Sequence, residues 1–152
     1  MARNDAGGFS AEERKAMKER AAELKAEAKR AKGAEKAAAE EAELLAKIAQ
    51  MPDGDRHLAE HMHEIVTTVA PGLAPKLYYG QPGYARGGKP VVFFRSGQMD
   101  KERYSTFGVT ALAQLDDASG FWPTSYALSD PSEEAWEQLA EIVKRAAGAD
   151  TP

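Results

Sequence analysis

The segment that decides the fold runs from residue 78 to residue 94 and reads YYGQPGYARGGKPVVFF. Aromatic and β-branched residues dominate it, and such residues fit the pleated, half-buried surface of a sheet. The pair Gly87-Gly88 divides the segment. Because glycine reaches positive φ without strain, this pair predicts a tight hairpin turn. Short connections of this kind imply antiparallel pairing of the strands.

The aromatic character extends beyond this segment, since ten of the twelve aromatic residues lie between Tyr78 and Tyr126. We therefore predict a sheet of about five strands. The predicted strands lie near residues 76–79, 84–86, 90–95, 103–109 and 124–128. A further turn is predicted at Gly80-Gln81-Pro82-Gly83, because glycine and proline commonly end strands and form turns.

Helical patterns stand on both sides of the predicted sheet. Before it, apolar residues recur at helical spacing from Leu58 to Val69, with Asp55 as the predicted N-cap. After it, Asp130-Pro131-Ser132-Glu133 predicts an N-cap followed by a proline at the first helical position. Together these patterns predict an α+β fold, an antiparallel sheet with helices packed on one face.

The first third of the chain has a different composition. Residues 1–50 hold 11 basic and 10 acidic side chains, whereas residues 51–152 hold 9 and 14. The capping-box residues Ser10 and Glu13 predict a helix start, and Gly33 is expected to interrupt the helix and begin a second one.

These features predict three parts of the chain. They are a charged helical N-terminal arm of residues 1–50, an α+β domain of residues 51–148 and a disordered tail of residues 149–152. The arm is expected to be a solvated helix, to dock on the domain or to mediate self-association.

Composition excludes several classes of function. The chain has no cysteine, which excludes disulfides, thiolate metal sites and cysteine nucleophiles. Its net charge of −4 argues against nucleic-acid binding. No stretch approaches the roughly 20 apolar residues that span a bilayer. We expect a cytoplasmic protein that binds no membrane and is a monomer or weak homodimer.

A polar stripe on the first domain helix is a candidate metal site. His57, Glu60, His61 and Glu64 share one face of that helix, and histidines four residues apart can bind one metal. The H-x-x-E-H pattern matches inverted zinc peptidases, but the sequence offers no third ligand and no cleft. The stripe is therefore either a weak divalent-metal site or solvated surface. A second acidic group, Glu133, Glu137 and Glu141, lies on the last helix, with the same two interpretations.

The aromatic residues are an alternative candidate site. Tyr79, Pro82 and Tyr84 in the first predicted turn, with Trp122 and Tyr126 near the last strand, would suit a small ligand or a protein partner. No G-x-S-x-G, Walker or dinucleotide motif occurs, so we expect no enzyme.

The residues 78–84 together with 87–94 resemble the YdhG-like family of bacterial domains of unknown function. In that family an aromatic-Gly-Met-Pro-x-aromatic turn leads into a hairpin that ends Gly-Lys-x-hydrophobic-x-Phe. Gln81 stands where methionine is usual, and the resemblance covers about residues 55–147. It implies a fold of the frataxin type and a role in intracellular iron handling, without implying ligand residues.

Two functional hypotheses follow. The leading one is a non-enzymatic cytosolic binding domain that acts as a frataxin-like iron-binding chaperone, with weakly bound iron at the histidine stripe. The alternative is a small-ligand or protein-interaction module that uses the aromatic turn and the sheet and has no metal role. The partner is unknown in both.

Overall fold

The computed structural model describes residues 9–148, which form three helices and a single five-stranded sheet. The helices are α1 (Ala11–Ala49), α2 (Asp53–Val69) and α3 (Glu133–Ala147). The strands are β1 (Ala74–Tyr78), β2 (Gln81–Arg86), β3 (Lys89–Arg95), β4 (Ser105–Val109) and β5 (Ser125–Leu128). Each strand pairs antiparallel with its neighbour in the chain, in the order β1-β2-β3-β4-β5. The predicted α+β class is confirmed. The predicted disordered tail of residues 149–152 lies outside the described residues.

The chain divides into two compact units, one ending at Ala38 and one beginning at Ala39. In the first unit, the predicted capping box is confirmed. Ser10 Oγ accepts a hydrogen bond of 3.0 Å from the Glu13 backbone N–H, and the Ser10 backbone N–H donates to Glu13 Oε1 at 2.8 Å. These two bonds satisfy amide groups that a helix start leaves without partners.

The predicted interruption at Gly33 is wrong, because α1 runs without a break from Ala11 to Ala49. One glycine in a helix interior costs only about 1 kcal/mol relative to alanine. The flanking residues Lys32 and Ala34 are strong helix formers, and no proline follows to stop the helix. None of the helices within residues 9–148 has the length and apolar character required to cross a membrane.

In the second unit, one face of the sheet forms the core together with the helices. Strand register places Tyr84, Val92 and Val109 in one row, and Phe94 and Phe107 in the next. All five side chains are buried. The helix residues in the same core are Leu44 and Ile48 of α1, Met62 and Val66 of α2, and Leu139 and Val143 of α3. The last turns of the predicted arm therefore contribute directly to the core.

On the opposite face, two aromatic rings cover two glycines. A Cβ at Gly108 would lie 2.3 Å from the Phe93 ring, and a Cβ at Gly83 would lie 2.8 Å from Tyr78 Cβ. The two rings also contact each other, with centroids 5.4 Å apart. Glycine is favoured at both positions because the Phe93 ring at Gly108, and the Tyr78 Cβ with the Lys76 carbonyl oxygen at Gly83, occupy the space that a side chain would fill.

Two predicted boundaries differ in the structure. The turn between β1 and β2 is Tyr79-Gly80, and Gln81 already begins β2. Tyr79 and Gly80 both have positive φ, of 49° and 78°, as a two-residue hairpin turn requires. The N-cap of α3 is Ser132, whose Oγ accepts from the Ala135 backbone N–H at 3.2 Å, so Pro131 precedes the helix instead of starting it.

A polar chain that runs from the buried Tyr84 to the half-exposed Glu41 joins the helices to the sheet. The Tyr84 hydroxyl lies 3.0 Å from His63 Nδ1, and His63 Nε2 lies 3.5 Å from the Glu41 carboxylate. Burial, and to a smaller extent the negative charge of Glu41, raise the pKa of the Tyr84 hydroxyl well above its ordinary value. Tyr84 therefore stays protonated in the folded protein at a pH where a solvated tyrosine ionises.

This pKa shift predicts a loss of stability in alkali. The unfolded state releases the Tyr84 proton above about pH 10, whereas the folded state keeps it. The free energy of unfolding is therefore fully maintained below that pH and decreases above it, by up to about 1.4 kcal/mol per pH unit. We expect urea denaturation at a series of pH values to give a shallower decrease for Tyr84→Phe. Tyr79→Phe, which alters an exposed ring, should decrease like the unsubstituted protein. Equal slopes for the two variants would contradict the assignment.

Candidate functional site

A cavity of about 440 Å³ opens where the starts of α2 and α3 meet the loop between β3 and β4. We call it the Asp55 pocket. Its lining includes Asp55, His57 and His61 of α2, Arg103 of the β3–β4 loop, and Asp130 and Trp136 near the start of α3. Cavities of this size hold small organic molecules.

Asp55 is the buried acidic residue among those that line this pocket, with only 7% of its surface exposed. The sequence predicts it as an N-cap, but α2 begins at Asp53, and the N-cap Pro52 has no side-chain capping bond. The Asp55 carboxylate instead crosses to the β3–β4 loop, where Oδ2 accepts from the Ser96 hydroxyl and, at 2.9 Å, from the Gln98 backbone N–H. A negative charge in the first helical turn is also favoured by the helix dipole.

The Asp55 carboxylate is only half satisfied by the protein. Every hydrogen bond that it receives from residues 9–148 reaches Oδ2, and none reaches Oδ1. No basic side chain in that part of the chain lies within 4.0 Å of either oxygen. The Asp55 carboxylate is therefore buried without an ion-pair partner among residues 9–148, an arrangement that costs stability.

The wall of the pocket is aromatic. The His61 imidazole stacks on the Trp136 indole with ring centroids 4.0 Å apart and planes 23° from parallel. At the loop, the Arg103 guanidinium lies 4.9 Å from the centroid of the Tyr104 ring. One face of the Trp136 ring is therefore covered by His61, and one face of the Tyr104 ring by Arg103, in a lining that also contains Asp55.

Hydrogen bonds hold the β3–β4 loop in place. Gln81 Nε2 donates to Asp100 Oδ1 at 3.0 Å, and Arg95 Nε donates to Asp100 Oδ2 at 3.1 Å. The Gly97 backbone N–H donates to Ser105 Oγ at 3.0 Å, and a Cβ at Gly97 would lie 2.3 Å from the carbonyl oxygen of Tyr104. This tight approach allows only glycine at position 97. The loop side of the pocket is thus formed before any ligand arrives.

The four residues of the predicted metal stripe do not share one environment in the structure. His57 and His61 both line the Asp55 pocket. The Glu60 carboxylate lies 4.0 Å from Arg56 Nε, and Glu64 is exposed. Within residues 9–148, no group of three or more histidine, aspartate or glutamate side chains is arranged to hold a metal ion.

The second predicted acidic group lies on the solvent side of α3. Glu133, Glu137 and Glu141 are exposed. Glu137 and Glu141 border a shallow groove beside Ile142 and Arg145, and Glu141 lies 4.0 Å from Lys144. Nearby cations therefore offset part of this negative charge.

The predicted aromatic site is also divided. Tyr79 is 82% exposed at the β1–β2 turn, whereas Pro82 and Tyr84 are fully buried and present no surface to a ligand. Trp122 and Tyr126 border a separate cleft of about 240 Å³ beside β5. Since β1 and β5 are the two edges of the sheet, these residues do not form one site.

Two residues of the Asp55 pocket were missed by sequence reasoning. Asp55 was interpreted as a cap and Arg103 as part of a strand. The relevant signal is weak because the pocket draws on three segments far apart in sequence, residues 54–61, 97–105 and 128–136. An aspartate in a first helical turn has an ordinary explanation through the helix dipole.

Comparisons with family models, curated proteins and solved structures find no match to this chain. The resemblance to the YdhG-like family therefore stays a prediction.

The bond between Ser96 and Asp55 predicts a stability effect. Ser96 is fully buried, donates to Asp55 and accepts from the Met99 backbone N–H at 3.2 Å. We expect Ser96→Ala to lower the free energy of unfolding by about 1–3 kcal/mol, since it leaves buried polar groups without partners. Ser129→Ala, at an exposed position of the same pocket, should change stability little. Chemical denaturation compares the two, and similar stabilities would show that the bond contributes nothing measurable.

Proposed function

We propose that this protein is a non-enzymatic, cytoplasmic binding domain that holds a small organic molecule in the Asp55 pocket. The observation that carries the proposal is a preformed cavity whose base is a half-satisfied, buried carboxylate. Ligand sites typically combine apolar and aromatic walls with a few convergent polar groups. Trp136 and Leu58 supply such a wall here, and Asp55 supplies a polar group.

Several groups of the pocket are held in place by the protein. His61 is stacked on Trp136, and one oxygen of Asp55 is held by the loop. Groups fixed in this way orient a ligand and select it.

The binding proposal predicts a specific response to ligands. The two tryptophans report on different places, because Trp136 lines the Asp55 pocket and Trp122 lines the cleft beside β5. A screen of small organic compounds by ¹H–¹⁵N NMR should yield compounds that shift the Trp136 indole N–H signal and leave that of Trp122 in place.

Variants give the matched control for this screen. We expect Trp136→Leu to weaken binding of the selected compounds about tenfold or more, because it removes the aromatic wall. Trp122→Leu should leave their affinity unchanged. The backbone amide signals of Gly97 and Ser129 can follow binding in both variants. A screen in which no compound perturbs Trp136, Gly97 or Ser129 would refute the proposal.

Iron binding is a second candidate, supported by the position of two histidines. His57 and His61 are one helical turn apart and line the same pocket, so their imidazoles could share a divalent ion. The frataxin-like chaperone role that the family resemblance suggests requires an iron site, although the resemblance itself implies no ligand residues.

An anaerobic Fe²⁺ titration tests this candidate. If iron binds there, the paramagnetic ion should broaden the ring signals of His57 and His61. His63 is the internal control, since its ring contacts Tyr84 and Glu41. Unchanged His57 and His61 signals at millimolar Fe²⁺, or equal broadening of all three histidines, would remove iron as the ligand.

A further inference from the structure

We infer that the ligand of the Asp55 pocket is a small organic cation that carries N–H donors, a primary ammonium or guanidinium compound. This inference rests on the proposed function and adds the chemical class of the ligand. Its basis is the juxtaposition of an unpaired, buried carboxylate with aromatic surfaces in one preformed cavity.

The first step concerns Asp55. Its carboxylate is 7% exposed, and its oxygen Oδ1 receives no hydrogen bond from residues 9–148. A cation with an N–H group satisfies both requirements of this oxygen, because it supplies a donor and a positive charge. Charge-assisted hydrogen bonds of this type are about twice as strong as neutral ones. A neutral donor would satisfy only the first requirement, and an anion would oppose both.

The second step concerns the other charges of the pocket. Asp55, Glu102 and Asp130 contribute three carboxylates, and Arg103 contributes one guanidinium. Arg103 lies over the Tyr104 ring instead of pairing with Asp55. The lining therefore has an excess of negative charge, which attracts a cation and repels an anion.

The third step concerns the aromatic walls. The electron-rich face of an indole ring attracts cations, and tryptophan is the most effective side chain in this respect. Trp136 and Tyr104 both line the pocket, together with the apolar side chains Leu58 and Leu128. His61 stacks on one face of Trp136 and Arg103 lies over one face of Tyr104, so a ligand cation would meet the remaining surface of each ring. This combination favours an alkyl chain that ends in an ammonium or guanidinium group. A quaternary ammonium ion would contact the rings but cannot donate to Asp55.

The experiment compares small compounds of different charge, three of which (n-butylammonium, n-butanol and valerate) share an n-butyl chain. The probes are n-butylammonium and agmatine as cations with N–H donors, tetramethylammonium as a cation without them, n-butanol as a neutral compound, and valerate as an anion. Binding is followed through the Trp136 indole signal, with Trp122 as the internal control. We expect n-butylammonium and agmatine to shift Trp136 at the lowest concentrations, tetramethylammonium to bind more weakly, and valerate to cause no shift.

Matched charge variants locate the interaction. Asp55→Asn keeps the size of the side chain and removes its charge, so it should weaken n-butylammonium binding about tenfold or more and leave n-butanol binding unchanged. Asp53→Asn removes the same charge two residues away on the same helix, from a side chain that is 87% exposed and does not line the pocket. Its affinity for n-butylammonium should stay close to that of the unsubstituted protein.

A further variant keeps the test valid if Asp55→Asn does not fold. Glu102→Gln changes an exposed residue of the pocket, and it should also weaken cation binding, by a smaller factor. Equal affinity of Asp55→Asn and the unsubstituted protein for n-butylammonium would overturn the inference. Stronger binding of valerate or n-butanol than of the cations would overturn it too, while the proposed function would stand. A Trp136 signal that responds to no probe of any charge would count against both.

Discussion

The burial of one face of the sheet beneath the helices is the constraint on which the rest of this structure depends. The rows that contain Tyr84 and Phe94 are almost completely buried once α2, α3 and the last turns of α1 are in place. Burial of large apolar side chains supplies most of the free energy that opposes the loss of chain entropy. Each strand must therefore keep its register, because a shift by one residue would turn its buried side chains to the solvent.

The pocket lies where the helices reach the end of the sheet. The β3–β4 loop continues beyond the strands, and the first turns of α2 and α3 approach it from the other layer. Apolar packing cannot close this junction, because the loop carries backbone amides that need partners. Asp55 provides one such partner by accepting from Gln98, and Ser96 links the two. The cavity is thus a consequence of joining a helix start to a hairpin loop through a carboxylate.

The predictable part of the fold is the part with local periodicity. The concentration of aromatic and β-branched residues, divided by glycine and proline turns, located the sheet. Helical spacing from Leu58 to Val69 located α2. Gly33 was misjudged because a local helix-breaking tendency was given more weight than the helix formers on both sides. At the β1–β2 turn, Gln81 and Pro82 resemble loop residues. They form a strand because pairing with Tyr78 and Leu77 outweighs their weak strand propensity.

The site was less predictable, because its chemistry depends on contacts that sequence spacing does not encode. His57 and His61 were identified because they belong to one helix face. Their actual environment is set by Trp136, more than seventy residues later. The aromatic site was predicted wrongly because residues that are close in sequence were assumed to lie on one surface. Tyr79 and Tyr84 are close in sequence, but the turn between them sends one ring to solvent and the other to the core.

The chemistry of Asp55 connects stability with binding. Holding the β3–β4 loop with a carboxylate lowers the stability that the same hydrogen bond could give. A serine or asparagine could accept a hydrogen bond from the Gln98 amide without burying a charge. An apolar or neutral residue at such a position commonly stabilises a fold. Proteins keep a destabilising residue, such as a buried charge without an ion pair, mainly at positions where a functional site needs that residue. In this one cavity, Oδ1 of Asp55 receives no hydrogen bond from residues 9–148 and no basic side chain of that range lies within 4.0 Å of the carboxylate. Trp136 lines the same cavity. A purely structural role for the carboxylate would explain the hydrogen bonds to Oδ2, but it would not explain why the negative charge is left unpaired.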